Sequence, residues 1–313
     1  MHSTSTYHRR MTLRFAFRAL LGAAGVVVLA PQALAQTPIP PATFAPSLMP
    51  PTARALGTGG AMRGFATGDS GPQLNPSGIS LLRAYSVEGS YLHNSAVHSH
   101  DVRISAVDST SAFNLGGALY CSYHHDSPTD ATSQSGYLCG TALSFPILDK
   151  VFLGASANYN HFTNDANSTK TGLTFDAGLT VRPVSMLSVG VVGTNLFDKG
   201  MPWAPRTLGG GVALLPLPTL ILLFDTVWQK VYDGSRDQVL SYMGGGEFSF
   251  AGSAAFRFGG GRDGLSKNGY VAGGISLLSS DIGALDVGVH QDVSGNTKTT
   301  IVGVSARIFV PSV

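Results

Sequence analysis

The chain has 313 residues, of which 12% are charged and 39 are glycine, with a formal net charge of +2. Soluble domains carry about a quarter charged residues and about 7% glycine, so an ordinary soluble composition is excluded, and the small net charge leaves no electrostatic footprint for nucleic acid. The hydrophobic fraction of 43% does not announce a bundle of membrane helices. It does suit a transmembrane β-barrel, in which lipid-facing and lumen-facing residues alternate and average out.

Arg9, Arg10, Arg14 and Arg18 precede an apolar run at 19–30, and Ala33-Leu34-Ala35 follows as a small-x-small cleavage pattern. This order describes an export signal over 1–35, cleaved near Ala35. The run of 12 residues falls short of the ~20 that an α-helix needs to span a bilayer. Cysteine does not follow the cleavage pattern, which excludes lipid anchoring there. Residues 36–52 are proline-rich and read as an extended periplasmic spacer, because proline lacks the N–H that a helix or an inner strand would use.

Residues 53–82 form a glycine-rich leader, with Gly57, Gly59 and Gly60 near its start and Asn75-Pro76-Ser77-Gly78 near its end. An Asn-Pro pair favours a turn. Asn75, Pro76 and Gly78 are therefore expected to end, in a structural role, a plug enclosed by whatever 83–313 builds.

That remainder shows no helical period. It divides into segments of about 9–13 residues, the length a tilted strand needs to cross a bilayer. The segments fall near 83–94, 99–108, 113–126, 136–147, 151–162, 171–182 and 187–197, then 206–215, 220–230, 239–250, 253–260, 269–279, 282–291 and 298–309. Fourteen is an even number, as single-chain bacterial barrels require. Connections alternate in length. Short ones fall at Ser109-Thr110, Leu148-Asp149, Pro183-Val184, Leu217-Pro218, Ala251-Gly252 and Asp281, and longer ones at 124–135, 163–170, 198–205, 231–237 and 262–268. Sorting by parity is what turns on one side of a membrane and loops on the other produce. The expected fold is all-β: a single transmembrane antiparallel β-barrel of about 14 strands, with the N-terminal plug inside its lumen.

Period-two alternation gives each strand a polar and an apolar face. The charged residues on the polar parity are Glu88, Asp176, Asp225, Glu247, Arg257, Asp286 and Arg307, with the facing of Asp225 open. They are expected to hold the lumen together by ion pairs or hydrogen bonds, with ligand steering as the sharper alternative. Tyr91, Tyr123, Tyr137, Tyr159, Trp203, Trp228 and Tyr270 lie near strand ends, where interfacial aromatic girdles belong. Residues 220–227 are apolar on both faces except at Asp225 and Thr226, so the lumen is expected to be filled or apolar there.

The chain has two cysteines. A hairpin centred on Asp130 places Cys121 opposite Cys139 and Tyr123 opposite Tyr137. Opposed antiparallel positions permit a disulfide, and an exported protein meets an oxidising space, so a cross-strand bond is expected. The alternative is two small residues that merely share a face.

Chemistry is otherwise sparse. Gly57-x-Gly59 lacks the third glycine of a dinucleotide fingerprint, Met62 standing in its place, and G-x-S-x-G is absent. His161 and His290 have no evident partner for a hydrolase site. Catalytic residues and cofactors are therefore not expected. His93, His98, His100, His124 and His125 cluster beside the first long connections. Without a completing carboxylate or cysteine motif they read as solvated loop residues, not metal ligands.

The opening Ala53-Arg54-Ala55-Leu56-Gly57-Thr58-Gly59-Gly60-Ala61, followed by Asn75-Pro76-Ser77-Gly78-Ile79, resembles that of FadL-like outer-membrane proteins, nearest the PorV/PorQ-type branch. Thr58, Ser77 and Ile79 replace the usual Met, Ala and Leu. Leu187-Ser188 through Asn195-Leu196, and Gly246-Glu247-Phe248, are similar to later strands of that branch. The resemblance implies a barrel in the bacterial outer membrane, with an N-terminal hatch and passive passage of small hydrophobic molecules that leave sideways through the wall. Gly116-Gly117 would mark the lateral opening such a route needs, against plain barrel packing. The branch implies instead a non-catalytic barrel subunit of a cell-envelope assembly for secretion or motility. The partners expected are outer-membrane lipid and either a hydrophobic small molecule or other envelope proteins.

Overall fold

The computed structural model describes residues 49–110, 115–128, 133–164, 169–197, 203–231, 238–250, 252–279, 282–295 and 298–310. The export signal and residues 36–48 of the spacer lie outside them.

Fourteen antiparallel strands follow one another round a closed sheet. The first seven are β1 (Tyr85–Asn94), β2 (Ser99–Asp108), β3 (Gly116–Asp126), β4 (Gln134–Leu148), β5 (Val151–Asn164), β6 (Thr169–Val184) and β7 (Leu187–Thr194). The rest are β8 (Thr207–Leu217), β9 (Leu220–Lys230), β10 (Gln238–Phe250), β11 (Ala254–Arg262), β12 (Gly269–Ser279), β13 (Gly283–Asp292) and β14 (Thr300–Phe309). Glu88 of β1 lies opposite Arg307 of β14, and Leu92 opposite Gly303. Closure satisfies the edge groups that a bilayer could not.

The pleat sorts the side chains as alternation requires. On β6, Leu173 and Phe175 are 49% and 39% exposed, whereas Thr174, Asp176 and Thr180 between and beyond them are buried. Exposed leucine, valine and phenylalanine recur on the outward face of nearly every strand, which makes that face the lipid contact of a membrane-spanning barrel. β7 stops at Thr194, short of 197. Asn195 adopts a left-handed conformation with φ 51°, which an extended ladder cannot include. Its N–H instead donates to Asp176 Oδ1 at 2.8 Å.

Tyr91, Tyr123, Tyr137 and Tyr159 do stand outward. Trp203 and Tyr270 do not, and the girdle expected of them is corrected: both are buried. Each has an inner partner. Trp203 packs on Phe162 with ring centroids 5.7 Å apart, and the Tyr270 hydroxyl donates to Gly59 O at 2.8 Å.

Residues 49–84 run through the barrel. Helix α1 (Ala53–Gly57) is capped by Thr52, whose Oγ1 accepts from Ala55 N at 3.1 Å. The single turn α2 (Gly71–Leu74) and a 3-10 turn at Pro76–Leu81 follow. Ala53 N donates to Ser305 of β14 at 2.9 Å, Arg63 N to Asp225 of β9 at 2.7 Å, and Ser188 of β7 to Gly64 O at 2.6 Å. Ser144 of β4 donates to Ser77 O at 3.0 Å, and Ser105 of β2 to Asp69 at 2.8 Å. A segment bonded to strands right round a closed cylinder lies in its lumen. The wall is glycine where the segment's backbone touches it: a Cβ on Gly154 would overlap Ser77, and one on Gly288 the carbonyl of Ala53. Met62, Phe65, Ala66 and Leu74 pack on Ala213 and Leu223, which accounts for the apolar inward positions within 220–227.

The segment runs in a definite direction between the two ends of the barrel. Met49 packs on Leu92 and Ile301, at the ends of β1 and β14 that carry the longer loops. Ala84, by contrast, bonds Ser109 at the short-turn end, at 3.0 Å. The last residues of the spacer therefore sit at the loop end, because Met49 buries its side chain there. The chain then descends the lumen to reach β1.

Candidate functional site

Two features occupy the lumen: a charge network that ties the segment to the wall, and a cavity above it. In the network, Arg54 Nε lies 2.8 Å from Glu247 Oε2, and Arg257 Nε 2.6 Å from the same oxygen. Arg257 Nη1 reaches Asp286 at 2.7 Å, and Arg307 Nε reaches Glu88 at 2.7 Å and Asp69 at 3.2 Å. Arg63 Nη1 meets Asp225 at 3.2 Å. Asp176 stands apart, accepting from Ser156 Oγ at 2.6 Å and Asn158 Nδ2 at 2.8 Å. All seven wall charges singled out from parity face inward, and Asp225 is fully buried. Burial opposes the charge of Arg54, but the Glu247 carboxylate more than compensates and raises its pKa.

Arg54, Arg63 and Asp69 were not singled out in the sequence. The signal was an imbalance among the wall charges singled out, five carboxylates (Glu88, Asp176, Asp225, Glu247 and Asp286) against two guanidiniums (Arg257 and Arg307). Buried carboxylates in that excess require cations from elsewhere, and the leader contains two arginines, Arg54 and Arg63.

The glycine-rich motif serves local geometry. Gly57 ends α1 against Gly274, and Gly59 and Gly60 take φ values of 67° and 80° that favour glycine. Asn75 caps the turn that Pro76 begins, its Oδ1 accepting from Ser77 Oγ at 2.7 Å, and Gly78 lies against Ala66. Gly117 is paired on both sides, to Leu143 of β4 and Asp108 of β2, and Gly116 is paired to Ser144 of β4. A Cβ on Gly116 would lie 2.6 Å from Ile79 Cγ2, which is the packing explanation for that glycine.

Cys121 and Cys139 are opposed and joined by a disulfide, with Cα atoms 4.0 Å apart. Tyr123 and Tyr137 are opposed beside them, rings 5.2 Å apart. The expected register is the observed one. Among the histidines, His93, His100 and His125 stand opposite one another across β1, β2 and β3. His124 points inward, 3.5 Å from Asp101 and 3.7 Å from Asp126. Among the described residues no group of three or more His, Cys, Asp or Glu is placed to hold a metal ion.

The cavity lies at the loop end and measures about 240 Å³. Met49, Leu74, Val227, Met243, Leu265 and Ile301 supply apolar wall, and Arg63 lies at the floor. Tyr270 and His290 stack on one side with centroids 4.2 Å apart, and His290 Nε2 lies 3.1 Å from Asp292 Oδ1. Gln229, Ser241, Asp263, Asn94, Ser266 and Thr299 add further polar lining.

No family matches the sequence, and no curated protein does. Solved structures do match. CymD, described as a monoaromatic hydrocarbon channel, superposes with TM-score 0.65 at 10% identity over 85% of this chain and 98% of its own. The Ralstonia pickettii toluene transporter TbuX gives 0.63 at 11% identity over 84% and 98%. A Pseudomonas aeruginosa FadL homologue gives 0.60 at 10% over 88% and 99%. At such identity the likeness is one of fold.

Proposed function

We propose that this barrel is an outer-membrane channel that admits small hydrophobic molecules at its loop end and passes them inward without an open aqueous pore. The observation that carries the reading is the cavity. Its apolar residues surround a space of about 240 Å³, and an apolar protein cavity of ~150 Å³ is already large enough to hold benzene. A single-ring molecule therefore fits, and it gains free energy by leaving water for such a lining.

Several features support the reading. An export signal joined to a closed barrel with an apolar outer face suits the bacterial outer membrane, with its lipid as the surrounding partner. The segment across the lumen acts as a plug: its ion pairs and backbone bonds reach most of the wall, so onward passage requires local rearrangement and ions find no wet path. The similar solved barrels include a monoaromatic hydrocarbon channel and a toluene transporter. No observation favours the envelope-assembly alternative.

The test is expression in a Gram-negative host whose lipopolysaccharide layer limits hydrophobic solutes. Toluene entry should rise several-fold while sensitivity to hydrophilic antibiotics stays level. Unchanged toluene entry with correctly inserted barrel overturns the reading.

A further inference from the structure

We infer that the loop-end cavity takes a neutral single-ring compound bearing a hydrogen-bonding substituent, such as a phenol, and that Gln229 reads that substituent. This rests on the transport reading above and narrows its substrate class.

Gln229 sits near the end of β9 with its side chain on the lumen face, 6% exposed, and lines the cavity. Its cross-strand neighbours are Thr207 of β8 and Val239 of β10. Valine offers no partner, and the Thr207 hydroxyl is engaged with Thr194 Oγ1 at 2.7 Å. Among the described residues the Gln229 amide has no hydrogen bond, although it carries two donors and an acceptor. Most other polar groups of the lining are committed; Asn94, the second amide there, accepts from Ala96 N at 2.9 Å through Oδ1 and, among the described residues, makes no bond through Nδ2. Ser241 Oγ accepts from Gly264 N at 2.9 Å, and Asp263 accepts from Ser266 N at 2.8 Å. Asp292 accepts from Asn268 Nδ2 at 2.7 Å and from Thr299 N at 3.1 Å, and Tyr270 gives its proton to Gly59 O. Arg63 Nη1 serves Gly60 O and Asp225. Among these groups the Gln229 amide is left with both its donor and its acceptor ends unengaged, on a buried residue that lines the space a ligand would fill.

That surplus decides between ligand classes. Water satisfies the amide while the cavity is wet. A plain hydrocarbon that displaces the water leaves the amide unpaired, which penalises binding. A ring bearing a hydroxyl displaces the same water and restores the bond, and sites built to hydrogen-bond a substituent reject the analogue that lacks it. An ionised acid is disfavoured for a different reason. Asp263 and Asp292 face the cavity, and the guanidinium of Arg63 is already matched by Asp225, so a carboxylate would enter an excess of negative charge.

Toluene, p-cresol and p-toluate differ only in the group opposite the methyl. Their affinities would be measured by calorimetry on the full barrel in lipid nanodiscs, with empty nanodiscs as reference for partitioning. The wild type should bind p-cresol on the order of tenfold more tightly than toluene and bind p-toluate least, a ratio set by one hydrogen bond to a buried group. Gln229→Leu should erase the cresol preference by weakening cresol and strengthening toluene. Gln229→Met, with heat-modifiable gel mobility as the check on folding, repeats the test should leucine disturb the strand. A cresol-to-toluene ratio unchanged in the substituted barrels, or tightest binding of p-toluate, overturns the assignment and leaves the transport reading standing. Failure of all three rings to bind the wild type overturns both.

Discussion

Arg54, inside the lumen, grips Glu247 of β10 in a fork: Nε donates to Oε2 at 2.8 Å and Nη2 to Oε1 at 3.0 Å. The two residues are 193 positions apart, and both side chains are about nine-tenths buried. Bidentate pairs of this kind fix orientation as well as adding energy. Removing one partner of a buried pair costs about 3–5 kcal/mol, and Glu247 retains Arg257. Arg54→Met is therefore expected near the lower end of that range. The thermal midpoint of the detergent-solubilised barrel should fall, and single-channel conductance in planar bilayers should rise from a closed baseline as the segment loosens. An unchanged midpoint would mean that the segment is held by its backbone contacts alone.

Phe224, midway along β9 and 56% exposed, tests where the barrel lives. On a soluble surface Phe224→Arg would be nearly neutral. In a bilayer an arginine at the midplane costs about 2–4 kcal/mol. The variant should unfold at a correspondingly lower urea concentration in lipid vesicles, and equal midpoints would argue against lipid at that face.

The disulfide predicts a mass result. Protein alkylated without reduction should gain no label, and protein reduced first should gain two, one at each of Cys121 and Cys139. Replacing both by serine removes a cross-link between residues 18 apart in sequence. The chain-entropy argument gives about 3 kcal/mol for a loop of that length, so the unfolding midpoint of the double variant should match that of reduced wild type.

The barrel was legible because its information is local and repeated. Alternation on β6, the parity of connection lengths, and one hairpin register through Cys121 and Cys139 each follow from period two, and they agree. What was not legible depends on where the leader sits. Arg54, Arg63 and Asp69 find partners 160 or more residues away, and no periodicity encodes such distances, though the surplus of wall carboxylates hinted at missing cations. Tyr270 and Trp203 have the girdle's residue type and position along the chain, but inner partners outweighed the interface. Gln229 shows the same limit: its parity marks it as inward, and only the engagement of Thr207 elsewhere reveals that it lacks a partner.

The descent of the leader from loop end to turn end yields the last prediction. Met49 is packed on Leu92 and Ile301, and Pro50 lines the cavity beside it. If the longer loops face outward, as in bacterial barrels generally, position 50 opens to the cell exterior and not to the periplasm. The native cysteines are paired, so Pro50→Cys supplies a single reactive thiol. A membrane-impermeant maleimide should label it on intact cells, and labelling should slow several-fold when p-cresol fills the cavity. Labelling only after the outer membrane is permeabilised would place the leader's start on the other side and reverse the direction in which the cavity is loaded. Labelling from outside without protection by any ring compound would keep the topology and remove the cavity as the point of entry.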